Sequence, residues 1–209
     1  MEFVSPAKEA SAEIEARRSR FIGTVAPVFA AEEAEIYVLA VRRKYADATH
    51  NVYAYSVGTG TPLERLSDDG EPKGTAGYPV LEVLKKRGLR NVACVVTRYF
   101  GGTLLGAGGL LRAYGKAASA ALDAAGVAQY VFHQVFCVTV DYDQFGRLRR
   151  DLEGRGIRII DTAFTERVTV KAYVTPEDVA ALVARVRDLT SGKAQPTLEE
   201  GKYIPLLTH

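Results

Sequence analysis

The sequence predicts an α+β protein in two parts, and three observations carry the prediction. The first is periodicity after residue 130, where apolar positions switch between a period of two and a helical period in the order βαββαβ. The second is the region before it, where strand patterns alternate with three helical stripes. The third is composition: 209 residues with 47% hydrophobic content and 27 basic against 25 acidic side chains are enough for two small cores. The expected domains are residues 1–130 and 131–209.

In the first domain Arg20 to Phe29 reads as a strand and Glu32 to Tyr45 as a helix, with Tyr37, Val41 and Tyr45 recurring on one face. Asn51 to Val57 alternates as a strand that Gly58 and Gly60 end. Thr59 to Gly77 holds four glycines, two prolines and a charge cluster and reads as a long surface loop. Tyr78 to Arg87 reads as a short helix stopped at Gly88. Val92 to Thr97 is a buried strand. Gly108 to Ala125 is a helix with Leu111, Tyr114, Ala118, Ala121, Leu122 and Ala125 on its apolar face, stopped at Gly126. A short linker is expected over Gly126 to Tyr130.

In the second domain Phe136, Val138, Val140 and Tyr142 alternate in a strand, and Asp143 is placed to cap a helix carrying Phe145, Leu148 and Leu152. Ile157 to Ala163 and Val168 to Val174 are two more strands. Thr175, Pro176, Glu177 and Asp178 open a helix in the usual way, and Val179, Leu182, Val183, Val186 and Leu189 form its stripe. A last strand over Lys202 to Leu206 completes a ferredoxin-like split βαβ order.

Charge excludes a protein that coats nucleic acid nonspecifically: residues 1–130 carry 16 basic and 14 acidic side chains, and residues 131–209 carry 11 of each. No apolar run approaches the ~20 residues that span a bilayer, and the N-terminus has no hydrophobic signal core, so a cytoplasmic location and no membrane partner are expected. Cys94 and Cys137 fall in strands without metal or disulfide spacing and read as reduced core residues.

The chemistry concentrates in TRYFGGTLLGAGGLLRAYGK, which has five glycines between Gly101 and Gly109. Strand, glycine-rich loop and helix in succession can present bare amides at the positive end of a helix dipole, with Arg98, Arg112 and Lys116 nearby, which suits an anion such as a phosphate. The spacing matches neither the nucleotide-triphosphate loop nor the dinucleotide fingerprint. Glycine also satisfies tight turns without any ligand, and Tyr99 and Phe100 could be core aromatics. Asp68, Asp69 and Glu71 form an acidic cluster in which Asp69-Gly70 is first a turn signal, with Arg65 and Lys73 able to neutralise it; no metal and no cofactor are expected. His50 is the one histidine of the first domain and lacks a catalytic spacing; His133 and His209 offer less. The basic groups Lys85, Lys86, Arg87 and Arg90, and Arg147, Arg149 and Arg150, suit a helix end and a solvated helix face. Arg167, Thr169, Lys171 and Tyr173 share one strand face that would resemble an RNA-binding sheet if open, without its aromatic signature.

THNVYAYSVG (Thr49 to Gly58), LSDDGEPKGTAGYPVL (Leu66 to Leu81) and VVTRYFGGTLLGAGGLLRAYGKAA (Val95 to Ala118), in that order, resemble the IMPACT/YigZ family, and the likeness extends over essentially the whole chain. The resemblance implies a ribosomal-protein or translation-factor-like α+β domain followed by a smaller ferredoxin-like domain similar to the last domain of elongation factor G. It also implies a link to translation, which eukaryotic relatives regulate by binding proteins rather than by catalysis. The pattern marks His50, Asn51, Asp68, Asp69, Gly70, Glu71, Gly74, Thr75 and Gly77 as a supporting loop. It marks Arg98, Tyr99, Phe100, Gly101, Gly102, Gly106, Gly108, Gly109 and Arg112 as the binding segment. The expected function is non-enzymatic binding of RNA or the ribosome through that segment. One alternative is an enzyme acting on a phosphorylated or carboxylated small molecule, with His50 as acid–base group. Another is a module that binds a protein partner.

Overall fold

A computed structural model describes residues 2–206, so His209 lies outside the described residues. The chain divides into two compact units, one reaching Tyr130 and the other running from Val131 to Ile204, with Pro205 and Leu206 grouped with the first.

The first unit contains β1 (Glu2–Pro6), β2 (Ala10–Ala16), β3 (Ser19–Pro27), α1 (Ala31–Lys44), β4 (His50–Val57), β5 (Leu63–Ser67), α2 (Gly77–Lys86), β6 (Val92–Tyr99) and α3 (Ala107–Ala125). Its main sheet runs β2-β3-β6-β4-β5, every neighbouring pair antiparallel. Both faces are covered, which is why β6 reads as an unbroken apolar run rather than an alternation. Val92, Cys94 and Val96 pack with Phe21, Val25, Val52 and Ala54 under α2 and α3. Ala93 and Val95 pack with Tyr55, Val57 and the α1 residues Ala34, Val38 and Val41. The parity of the strand therefore assigns each side chain to a helix layer. Gly23 marks the closest approach of α3, since a Cβ there would lie 2.4 Å from the Ala117 carbonyl oxygen.

Several expectations need correction. Thr59 to Gly77 is not one surface loop: β5 pairs with β4 inside it, Gly77 opens α2, and residues 59–62 and 68–76 remain as loop, with Glu71 and Thr75 buried. Leu66 and Leu63 lie too close to charged neighbours for a strand pattern to stand out. Leu111 is 41% exposed, and Leu110 takes its place on the buried stripe with Tyr114, Ala117 and Ala121. On α1 the buried centre is Ala34, Val38 and Val41, with Tyr37 and Tyr45 half-buried at its margin. The N-terminal strands β1 and β2 are additions to the expected elements, and β2 lacks a strong apolar alternation because only Ala10, Ala12, Ile14 and Ala16 are half-buried along it.

The second unit follows β7 (Val127–Val140), α4 (Tyr142–Gly154), β8 (Arg158–Phe164), β9 (Val168–Val174), α5 (Pro176–Leu189) and β10 (Thr197–Leu206). Strand β9 lies between β7 and β8, antiparallel to both, and β10 pairs with β7 on its other side, the ferredoxin-like order. Phe136, Val138, Val140, Val168, Val170 and Val174 meet Leu148, Leu152, Leu182 and Val186 from the two helices. Strand β7 already begins at Val127, so the expected linker is extended chain within a sheet. Tyr142 opens α4 instead of ending the strand, and the N-cap is Asp141, whose backbone N–H donates to Gln144 Oε1 at 3.4 Å.

Candidate functional site

Sheet parity brings the site together. Arg98 follows Val96 on the α3 face of β6, and the register pairs it with His50 on β4 and with Phe21 on β3. Arg98 is 5% exposed. Its Nη1 donates to Glu71 Oε1 at 2.6 Å and its Nη2 to Ser19 Oγ at 3.4 Å. The guanidinium lies 5.5 Å from the Phe21 ring centroid and 5.4 Å from that of Phe100. Glu71 Oε1 also accepts the Tyr114 hydroxyl at 2.7 Å, and His50 Nε2 lies 3.9 Å away. Burial first, then the hydrogen bond to Glu71, pushes the Tyr114 hydroxyl far up from its ordinary pKa, so it stays a donor.

The acidic loop is a clamp that delivers Glu71. Asp68 accepts the backbone N–H groups of Gly74, Ala76 and Gly77 at 2.8, 3.1 and 2.8 Å, which satisfies the start of α2 from a distance. Asp69 accepts from the Asn51 backbone at 2.6 Å and pairs with Arg42 at 2.7 Å. Thr75 Oγ1 donates to the Pro72 carbonyl, and Asn51 Oδ1 accepts from Thr97. Gly70 adopts φ +91° beneath the His50 ring, and Gly77 is required by the Ser67 carbonyl, 2.9 Å from where a Cβ would stand. Arg42 and Arg98 balance these acids, in place of the expected Arg65 and Lys73. Among the described residues no three His, Cys, Asp or Glu side chains are grouped to hold a metal.

The glycine-rich segment divides into two functions. Gly101 is structural: a Cβ on it would stand 2.0 Å from the Arg18 carbonyl oxygen, and its amide donates to Ser19 Oγ. The Phe100 amide donates to Thr49 Oγ1. Gly102 and Gly106 take φ +80° and +71°, and Gly106 is the N-cap of α3. Gly109 packs on Leu105, while Gly108 has nothing but Arg112 Nη1 near its missing Cβ.

Two cavities flank this segment. The first, about 400 Å³, is lined by His50, Glu71, Arg98, Phe100, Leu104 and the start of α3. The second, about 220 Å³, is lined by Arg17, Gly109, Arg112, Lys116, Glu15 and Ile14. They share Leu105. The structure thus separates Arg98 from Arg112, and it turns Tyr99 to the opposite sheet face, where its hydroxyl donates to Asp47 and Arg20 lies 4.7 Å from its ring centroid. Arg17 was not legible as a site residue. It is one of two arginines with positive φ, Arg17 at 45° and Arg18 at 66°, that form the two-residue turn between β2 and β3. Asn-Gly is the usual signal for such a turn and Arg-Arg is not. Arg17 Nη1 donates to the Leu104 carbonyl at 3.1 Å, tying the turn to the loop.

Of the basic cluster at the end of α2, three residues are engaged locally. Lys85 pairs with Glu64, Arg87 with Asp123, and Arg90 donates to the Thr59 and Gly60 carbonyls. On the β9 face Arg167 pairs with Asp141, Lys171 with Glu199, and Thr169 bonds Thr139, so that face is a network of internal pairs. Cys94 and Cys137 are both free thiols. Among the described residues no helix is long and apolar enough to cross a membrane.

Comparison with known proteins adds identity to this geometry. Residues 17–122 match the Impact N-terminal domain, and residues 138–193 match a domain of unknown function, DUF1949. The chain is 38% identical to IMPACT family member YvyE of Bacillus subtilis, over 93% of its own length and 88% of that protein. It is 32% identical to IMPACT family member YigZ of Escherichia coli over 91% of its length and 94% of that protein. The mouse protein IMPACT is 40% identical over 95 residues, 43% of this chain and 29% of that protein. A crystal structure described as that of a hypothetical protein superposes with a TM-score of 0.64 at 31% identity, covering 95% of this chain and 98% of that one. Two domain matches in order and alignment along nearly the whole length of bacterial relatives place the chain in the IMPACT family.

Proposed function

We propose that the first unit binds RNA, free or within the ribosome, along the groove between the β2–β3 turn and α3, and that the chain acts in translation through this contact. The observation that carries the reading is the convergence of Arg17, Arg112 and Lys116 on one groove, none of them in an ion pair among the described residues. Cations without a carboxylate partner are the groups that neutralise phosphates and release counterions, whereas Arg98, held by Glu71, is a positioning residue. The exposed ring of Phe100 beyond Leu105 is available to stack on a base. The family resemblance supplies the link to translation.

The test is binding of labelled single-stranded RNA and of ribosomes across a salt series, comparing the native chain with Arg112→Ala/Lys116→Ala. Losing two phosphate contacts should flatten the slope of log affinity against log salt by about 1.4 for single strands. An identical slope in the variant, or no salt-sensitive binding by the native chain, would remove the reading.

A second reading, small-molecule chemistry in the first cavity, is favoured by His50 standing 3.9 Å from Glu71 with its Nδ1 fixed on the Asp69 carbonyl at 2.8 Å. This is the arrangement of an oriented acid–base group. It predicts turnover of a phosphorylated or carboxylated compound that His50→Ala abolishes and Arg112→Ala/Lys116→Ala does not.

A further inference from the structure

The cavity beneath Phe100 presents acceptors that the protein leaves without donors. His50 Nδ1 sits 2.8 Å from the Asp69 carbonyl oxygen, and a carbonyl only accepts, so the ring proton is on Nδ1. In the neutral ring Nε2 is then an acceptor. The bonds from Arg98 and Tyr114 to the Glu71 carboxylate both end on Oε1. Oε2 has no donor among the described residues. Two acceptors with no N–H between them are costly inside a cavity unless water or a ligand supplies the protons. Arg98 and Thr49 are the other polar lining residues, with Arg98 Nε buried and without an acceptor among the described residues, and the rest of the wall is apolar, with Phe100 46% exposed and Leu104 79% exposed at the rim.

A flat ring with adjacent N–H donors on one edge meets both demands. Among the bases guanine alone carries two neighbouring donors, N1–H and the 2-amino group, on its pairing edge. Uracil presents a single N–H between two carbonyls that these acceptors would repel, and adenine and cytosine each place a ring acceptor beside their amino group. We propose that this cavity takes one unpaired guanine, stacked against Phe100 and Leu104 and hydrogen-bonded to Glu71 Oε2 and His50 Nε2. The inference rests on the RNA reading. Because the two cavities share Leu105, a base seated in the first leaves its backbone running over the bare first turn of α3, past Gly108, toward Arg17, Arg112 and Lys116.

The test uses short labelled uridine oligomers with one central guanine, inosine, adenine or uracil, titrated by fluorescence anisotropy against the native chain, Phe100→Ala and His50→Ala. Guanine should bind at least about tenfold tighter than uracil, with inosine between them because it lacks the 2-amino donor. Phe100 is partly exposed, so its variant tests the cavity without disturbing the core. Both variants should lose the guanine preference and keep the salt slope. Equal affinity for all four oligomers, or a guanine preference that survives in Phe100→Ala, overturns the guanine site and leaves the RNA reading standing. Absence of salt-sensitive binding to any oligomer overturns both.

Discussion

Glu71 satisfies two buried donors at once, and its energetic weight follows from where they are. Arg98 and Tyr114 are buried, so removing the carboxylate leaves a guanidinium without its counter-charge and a hydroxyl without its acceptor. Breaking a buried pair from one side costs about 3–5 kcal/mol. Glu71→Ala should therefore lower the unfolding free energy measured in urea by that amount, and a loss below about 1 kcal/mol would show the pair to be solvated. Gly101 carries a steric demand of a different kind, since any side chain must move the Arg18 backbone. Gly101→Ala should lower the melting temperature, while Gly108→Ala, in open space on a helix, should leave it unchanged or raise it. Burial pushes the Cys94 thiol up to about 12. It should resist alkylation at pH 8 in the folded chain and react fully in urea, whereas Cys137, only partly buried, reacts in both.

The β2–β3 turn is the element in which stability and function separate. Two arginines at positive φ cost more than Asn-Gly at the same places, so replacing Arg17-Arg18 by Asn-Gly should stabilise the hairpin by about 1 kcal/mol. The same exchange removes a cation from the groove and should weaken RNA binding. A higher melting temperature with undiminished RNA affinity would show that Arg17 contacts no phosphate. Helix α4 supplies a pH-dependent contribution in the second unit. Burial alone would raise the Asp151 carboxyl, but bonds from Arg185 and Arg155 outweigh it and hold the group below the usual carboxylate range. A depressed folded value means the stabilisation is fully present above the unfolded pKa, about 3.9, and is lost as pH falls through the folded value below it. Denaturation midpoints followed from pH 6 downward should decline in that window, and Asp151→Asn should remove this part of the decline.

For the whole molecule, a formal net charge of +2 leaves no general attraction for nucleic acid, so affinity must come from a local cluster. The arginines of α4 make a useful comparison. Arg149 is paired with Glu153, and Arg150 donates to the Gly146 carbonyl. Arg147→Ala/Arg150→Ala should leave the RNA salt slope unchanged while the α3 double variant flattens it. Equal effects from both pairs would point to diffuse attraction instead of a groove.

Much of the fold was legible in the chain because it is written in local periodicity. The βαββαβ order, the Thr175-Pro176 start of α5 and the glycine stops after α2 and α3 depend on neighbours within a few residues. Family membership was legible too, in three separated motifs. Two kinds of information were not local. Strand β5 and the Arg17-Arg18 turn lack the residue types that usually announce them, and pairing across the sheet decides them. The candidate site depends on parity and register: one step along β6 buries Arg98 beside His50 and sends Tyr99 to the other face, and α3 then divides the basic residues between two cavities. The sequence by itself determined which residues carry charge, rings and glycine, since composition and spacing are its own properties. Which of those charges are neutralised and which remain free was decided only by the tertiary structure, because Glu71 reaches Arg98 across 27 residues of chain and ion pairing depends on distance in space.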